Sequence, residues 1–124
     1  MDGNLLAATN SGVAVAPCTG NPDDDIWYSF NALYNYATIT LGNIGSDLAA
    51  SGARMQLFSG TGACGSLASL ACSGTGDVIN ATGLTVGNTY YVRVYSAGTG
   101  QAGTNWGFRI SLTPSAKVQL QGSR

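Results

Sequence analysis

The stretch TYYVRVYS, residues 89–96, limits what this chain can fold into more than any other part of it. Tyr90, Val92 and Val94 alternate with Tyr91, Arg93 and Tyr95. Successive side chains leave an extended backbone on opposite sides, so a period of two is a strand signal that no helix shares. The same alternation returns in DIWYSFNA, where Ile26, Tyr28 and Phe30 oppose Trp27, Ser29 and Asn31, and in NYATITLGN, where Ala37, Ile39 and Leu41 oppose Tyr36, Thr38 and Thr40. Val13 and Val15 in SGVAVA, Met55 and Leu57 in ARMQLFSG, Leu67 and Leu70 in LASLAC, the short run DVINA, and Trp106, Phe108, Ile110 and Leu112 in NWGFRISLT complete the set. No segment has helical periodicity. Clusters of Gly, Asn, Ser and Thr interrupt the strands at intervals of about eight to twelve residues, as in all-β sandwiches. Gly87 and Asn88 supply a turn before the strongest strand, and Pro114 ends the last one. The expected fold is all-β, a jelly-roll-like sandwich of two antiparallel sheets with about eight strands in total.

A chain of 124 residues holds one such domain and not two. Its expected organisation is an N-terminal lead-in over 1–10, the sandwich over 11–113, and a tail or linker over 114–124, where SAKVQLQGSR loses the aromatic richness of the body. The opening MDGNLLAATN lacks the basic and long apolar regions of a signal peptide, so a secreted origin implies a mature fragment. No apolar run approaches the roughly 20 residues that a membrane-spanning helix needs.

Charge is scarce. Five Lys and Arg stand against six acidic residues, giving a net charge of −1, and no basic run exists, so neither nucleic acid nor an anionic membrane is an expected partner. Solubility comes instead from neutral hydrogen-bonding groups and 18 glycines, a balance that suits an extracellular β protein. The chain has no His and no Glu, and Lys117 is its only Lys, which rules out Ser-His-Asp and Cys-His nucleophile systems and His-based zinc sites. A glycosidase pair built from the six Asp needs one of them held protonated in a cleft. The expectation is that the chain is not an enzyme.

Cys64 and Cys72 bracket GSLASLA at a spacing that a disulfide-closed, hairpin-like loop accommodates. Cys18 is then left over, either paired outside the chain or held as a buried thiol.

Four stretches taken in order, APCTGNPDDDIWYSFNA, MQLFSGTGACGSLASLAC, GLTVGNTYYVRVYS and GFRISL, resemble the repeated β-sandwich modules of large secreted and cell-surface proteins of Bacteroidota. Those modules are themselves similar to the bacterial pre-peptidase C-terminal domain. The resemblance implies a secreted or cell-surface bacterial accessory module without catalysis, joined to neighbouring domains of a parent protein and binding polysaccharide, extracellular protein or calcium. The chain departs from that pattern in lacking an upstream Cys-containing segment, in keeping only Asp77 in CSGTGD, and in having no Cys in GFRISL.

Three constellations are candidates for function. Asp23 and Asp25, with Asp77 or Asp47, are candidate oxygen ligands for calcium, which takes six to eight oxygens from irregular loops; the bland counterpart is a turn fixed by Pro22 and capped by an Asp. Trp27, Tyr91, Arg93, Tyr95 and Arg109 are expected on outward faces, as a glycan-binding strip; the bland counterparts are cross-strand pairs that stabilise the sheet, or Trp27 buried against a loop. Neutral strand edges are the third, as sites of self-association into head-to-tail or filament assemblies.

Overall fold

The computed structural model describes residues 2–6, 8, 18, 20, 24–60, 67–73, 76–98, 101, 103–113 and 119–123, the last five by their backbone. Among the described residues the chain forms nine strands: β1 (Asp2–Asn4), β2 (Asp25–Asn31), β3 (Tyr36–Gly42), β4 (Ala53–Gly60), β5 (Leu67–Cys72), β6 (Val78–Thr82), β7 (Thr89–Ser96), β8 (Gly107–Thr113) and β9 (Gln119–Ser123). One sheet runs β1-β8-β3-β6 and the other β5-β4-β7-β2-β9, with every recorded pairing antiparallel. The fold is the expected two-sheet sandwich. Its pairs nest, β4 with β5, β3 with β6, β2 with β7 and β1 with β8, alternating between sheets as in a long hairpin rolled up into a jelly roll.

The inner faces are those that the alternation assigned. Ile26, Tyr28, Phe30, Met55, Leu57, Tyr90, Val92 and Val94 of one sheet are buried in one cluster with Ala37, Ile39, Leu41, Ile79, Ala81, Phe108, Ile110 and Leu112 of the other. Connections plug the open ends of this layer: Leu5, Leu48, Leu84 and Trp106 are all buried within it. Leu70 departs from expectation and is exposed. The β4–β5 register slips between Leu57 and Phe58, pairing Ala71 with Leu57 and Ser69 with Phe58, so Leu70 is the extra residue of a bulge.

Three expectations are corrected. A six-residue helix, α1 (Ser46–Ser51), lies in the β3–β4 connection; it is too short for a periodic signal and is held by its surroundings. The Asp47 and Leu48 amides donate to the Asn105 carbonyl, the Asn105 amide donates to the Asp47 carboxylate, and the buried Leu48 anchors the turn. The lead-in contributes β1, which pairs with β8, at a point where Gly3 lies too close to Tyr28 and Phe108 to carry a side chain. The tail contributes β9, which pairs with β2. Val13 and Val15 lie outside the described residues.

Candidate functional site

The strand register brings most of the predicted strip together. Trp27 pairs with Arg93, Asp25 with Tyr95 and Ser29 with Tyr91 across β2 and β7; Gln56 pairs with Arg93 and Phe58 with Tyr91 across β4 and β7. Paired residues share a face, so all of these side chains leave the sheet on the side away from the core.

That side is not a surface. Trp27, Asp25, Gln56 and Arg93 are each 0% exposed and Tyr95 is 1% exposed, while Tyr91 is half-buried. The Arg93 guanidinium lies 5.5 Å from the Trp27 ring centre, 5.4 Å from that of Phe58 and 5.2 Å from that of Tyr95. Its Nη1 pairs with Asp25 Oδ2 at 3.4 Å, its Nη2 donates to Gln56 Oε1, and Gln56 Nε2 donates to Ser69 Oγ at 3.0 Å. The cation therefore has a carboxylate, an amide oxygen and three aromatic faces in place of water. The expected glycan strip is thus corrected to a second buried layer. Alternation sorts side chains into two faces but does not say whether the second face is wet, and the central strands of this sheet are covered on both. Arg109 belongs to neither arrangement, being exposed on β8 of the opposite sheet.

Cys18 and Gly20, ahead of β2, lie against this face. Cys18 is disulfide-bonded to Cys72 of β5, with Cα atoms 5.6 Å apart. Gly20 sits against Tyr95 and Ala97 with a φ of 106°, in the left-handed region that favours glycine. Asp24 is buried and accepts hydrogen bonds from the Ser96 amide at 3.1 Å, the Ser96 hydroxyl at 2.7 Å and Gln101 Nε2 at 3.0 Å. The expected Cys64–Cys72 bridge is overturned by this disulfide, since Cys72 bonds to Cys18. A local spacing argument cannot see that the roll carries the segment before β2 over to β5. Cys64 lies outside the described residues.

The acidic junction therefore has structural work. Asp23 lies outside the described residues, Asp24 fastens the entry to β2, and Asp25 neutralises Arg93. Asp47 caps the contact between α1 and the segment before β8, and Asp77 forms a left-handed turn with a φ of 56° ahead of β6. Among the described residues, no group of three His, Cys, Asp or Glu side chains is placed to hold a metal ion.

Burial lowers the Arg93 pKa from its ordinary value, and Asp25 draws it back. Burial raises the Tyr95 pKa above its ordinary 10.0, opposed by Arg93 and Arg54. A phenol whose pKa is higher folded than unfolded holds its proton better in the folded state, so stability is intact below about pH 10 and falls as pH rises beyond it. Urea midpoints measured from pH 8 to pH 11 are expected to drop above pH 10 in the natural chain and to drop less in Tyr95→Phe.

Exposed aromatics collect elsewhere, on the rim where β2 ends and β7 begins. The β2–β3 and β6–β7 connections are stitched together there by Ala32 N–H to Asn88 O at 2.9 Å, Gly87 N–H to Ala32 O at 2.8 Å and Leu84 N–H to Asn35 O at 2.9 Å. The buried Tyr90 accepts the Thr85 amide on its hydroxyl at 2.8 Å, and Thr89 Oγ1 donates to Asn31 Oδ1 at 2.7 Å. On this frame Tyr34 is 49% exposed, Tyr36 51%, Leu33 55% and Val86 62%. The Tyr34 and Tyr36 rings form one tilted pair with centres 5.8 Å apart. At the same end of the sandwich a groove of about 460 Å³, whose lining does not include the tyrosine pair, opens between Ser59 and Gly60 on one side and Asn88, Thr89 and Tyr91 on the other. Residues 31–36 and 82–91 contain no charged side chain. The sequence held a signal for this rim: Tyr34 and Leu33 lie between strands, outside the alternation that buries apolar residues.

Among the described residues no helix is long and apolar enough to cross a membrane. No family model, no curated protein and no solved structure matches the chain.

Proposed function

We propose that this chain is a secreted or cell-surface bacterial module, non-catalytic and attached to a larger protein, that binds a neutral polysaccharide on its tyrosine rim. The observation that carries the proposal is the exposed Tyr34–Tyr36 pair, set in a rim without charge at the same end of the sandwich as a polar groove. Tyrosine faces stack on the C–H faces of sugar rings, and Asn88, Thr89 and Tyr91 add amide and hydroxyl groups that exchange hydrogen bonds with ring hydroxyls. An uncharged surface favours a neutral chain over an acidic one. The Cys18–Cys72 disulfide is compatible with an oxidising, extracellular setting, and the order of motifs that resembles Bacteroidota surface modules supports the same context.

Affinity electrophoresis through gels cast with β-glucan, xylan or mannan tests the proposal. The natural chain is expected to be retarded by at least one of them. Tyr34→Ala and Tyr36→Ala are each expected to weaken binding about tenfold, equivalent to ~1.4 kcal/mol. Arg109→Ala, beside Gly42 at the far end of β3 from Tyr36, is expected to bind unchanged, and chelator is expected to make no difference because the rim offers no carboxylate. A chain that no neutral glycan retards, or a double Tyr variant retarded like the natural chain, overturns the proposal and leaves a structural spacer as the reading.

A further inference from the structure

The eight nested strands β1 to β8 complete the roll by themselves, and β9 is an addition to its open side. Without β9, one whole edge of β2 would present unpaired backbone N–H and C=O groups beside side chains that are buried. β9 covers it in antiparallel register, Ser29 with Gln119, Tyr28 with Leu120, Trp27 with Gly122 and Ile26 with Ser123, with a bulge between Trp27 and Tyr28. The chain reaches this position from the other sheet: β8 ends at Thr113 beside Thr38 of β3, and residues 114–118 separate it from β9. Strand pairing depends on backbone groups and register, not on whether the paired strands belong to one molecule. Charge does not oppose an incoming copy of the strand either, since residues 119–123 carry none and the Asp25 charge at the head of β2 is already matched by Arg93.

We propose that the β2 edge is a strand-acceptor site whose partner is the 119–123 strand of a second copy of this chain, so that copies link by exchanging β9. Reciprocal exchange gives a dimer, and serial exchange a head-to-tail chain. This assembly surface is separate from the tyrosine rim.

Two chains, each carrying Cys64→Ser to remove the third thiol, provide the test: one also carries Ser29→Cys and the other Gln119→Cys. Neither alone can form a 29–119 disulfide within a single molecule. Mixed in denaturant, refolded together at high concentration and oxidised, they are expected to give a covalent heterodimer, seen as a doubled mass on a non-reducing gel and mapped to the 29–119 pair. The natural chain, refolded the same way, is expected to show a doubled or higher mass by light scattering that returns to monomer when residues 119–124 are deleted. A mixture that yields no 29–119 heterodimer, together with a natural chain that stays monomeric at every concentration, overturns the proposal.

Discussion

Arg93→Met is expected to destabilise the fold by about 3–5 kcal/mol, the usual cost of leaving one member of a buried ion pair without its partner. Methionine keeps most of the volume between Trp27, Phe58 and Tyr95 but removes the cation that faces the Asp25 carboxylate at 0% exposure and the guanidinium donor to the Gln56 oxygen. For a domain of this size that loss lowers the melting temperature by about 10–20 °C. Asp25→Asn should also be costly, since it leaves the guanidinium in the same dry layer with a neutral partner. The double variant is expected to be more stable than the sum of the two losses by up to about 3 kcal/mol, because neither charge remains to be left alone. Urea unfolding of the two single variants and the double variant at neutral pH measures this coupling. Strict additivity would mean that Asp25 and Arg93 do not act as a pair.

Cys18→Ser is expected to cost about 4 kcal/mol on the chain-entropy estimate for a loop of this length, since the bridge closes a sequence separation of 54. Cys64→Ser is expected to leave stability within about 0.5 kcal/mol, the range of substitutions away from specific structural features. The two variants separate the observed bridge from the one that local spacing suggested. Equal urea midpoints for Cys18→Ser and the natural chain would refute the bridge as a stabilising element, while a large loss in Cys64→Ser would restore a role for that residue. Reducing agent should reproduce the Cys18→Ser loss in the natural chain and add nothing to the variant.

The alternation in TYYVRVYS and DIWYSFNA was enough to place the strands and their inner faces, because a side chain's direction along a strand is fixed by backbone geometry alone. The same alternation put Trp27, Arg93 and Tyr95 on an outer face and said nothing of what lies over it. The approach of Cys18 and Gly20 to that face is a long-range fact, carried by a bridge to β5 that no local pattern announces. Gln56 was missed for the same reason: in ARMQLFSG it reads as a polar residue facing water, yet it is sealed between Arg93 and Ser69. The β9 strand left a faint trace in VQLQ, where Val118 and Leu120 alternate with glutamines, but four residues are too few to outweigh the change in composition around them. Tyr34 and Tyr36 are the reverse case. Tyr34 lies in a connection that holds it off the core, and Tyr36 opens β3 on the face opposite the buried Ala37, so the alternation itself marks it as outward.

The nesting of the roll also fixes when any part of it can become stable during synthesis. Strands β1 to β4 find their recorded partners only among strands beyond residue 66, and β1 waits until Arg109 has been made before Asp2 can pair. A chain growing from its N-terminus therefore carries Ile26, Tyr28, Phe30 and Ile39 without their strand partners until those later strands have been made. Whatever receives the nascent polypeptide has to shield these strands until the final third arrives.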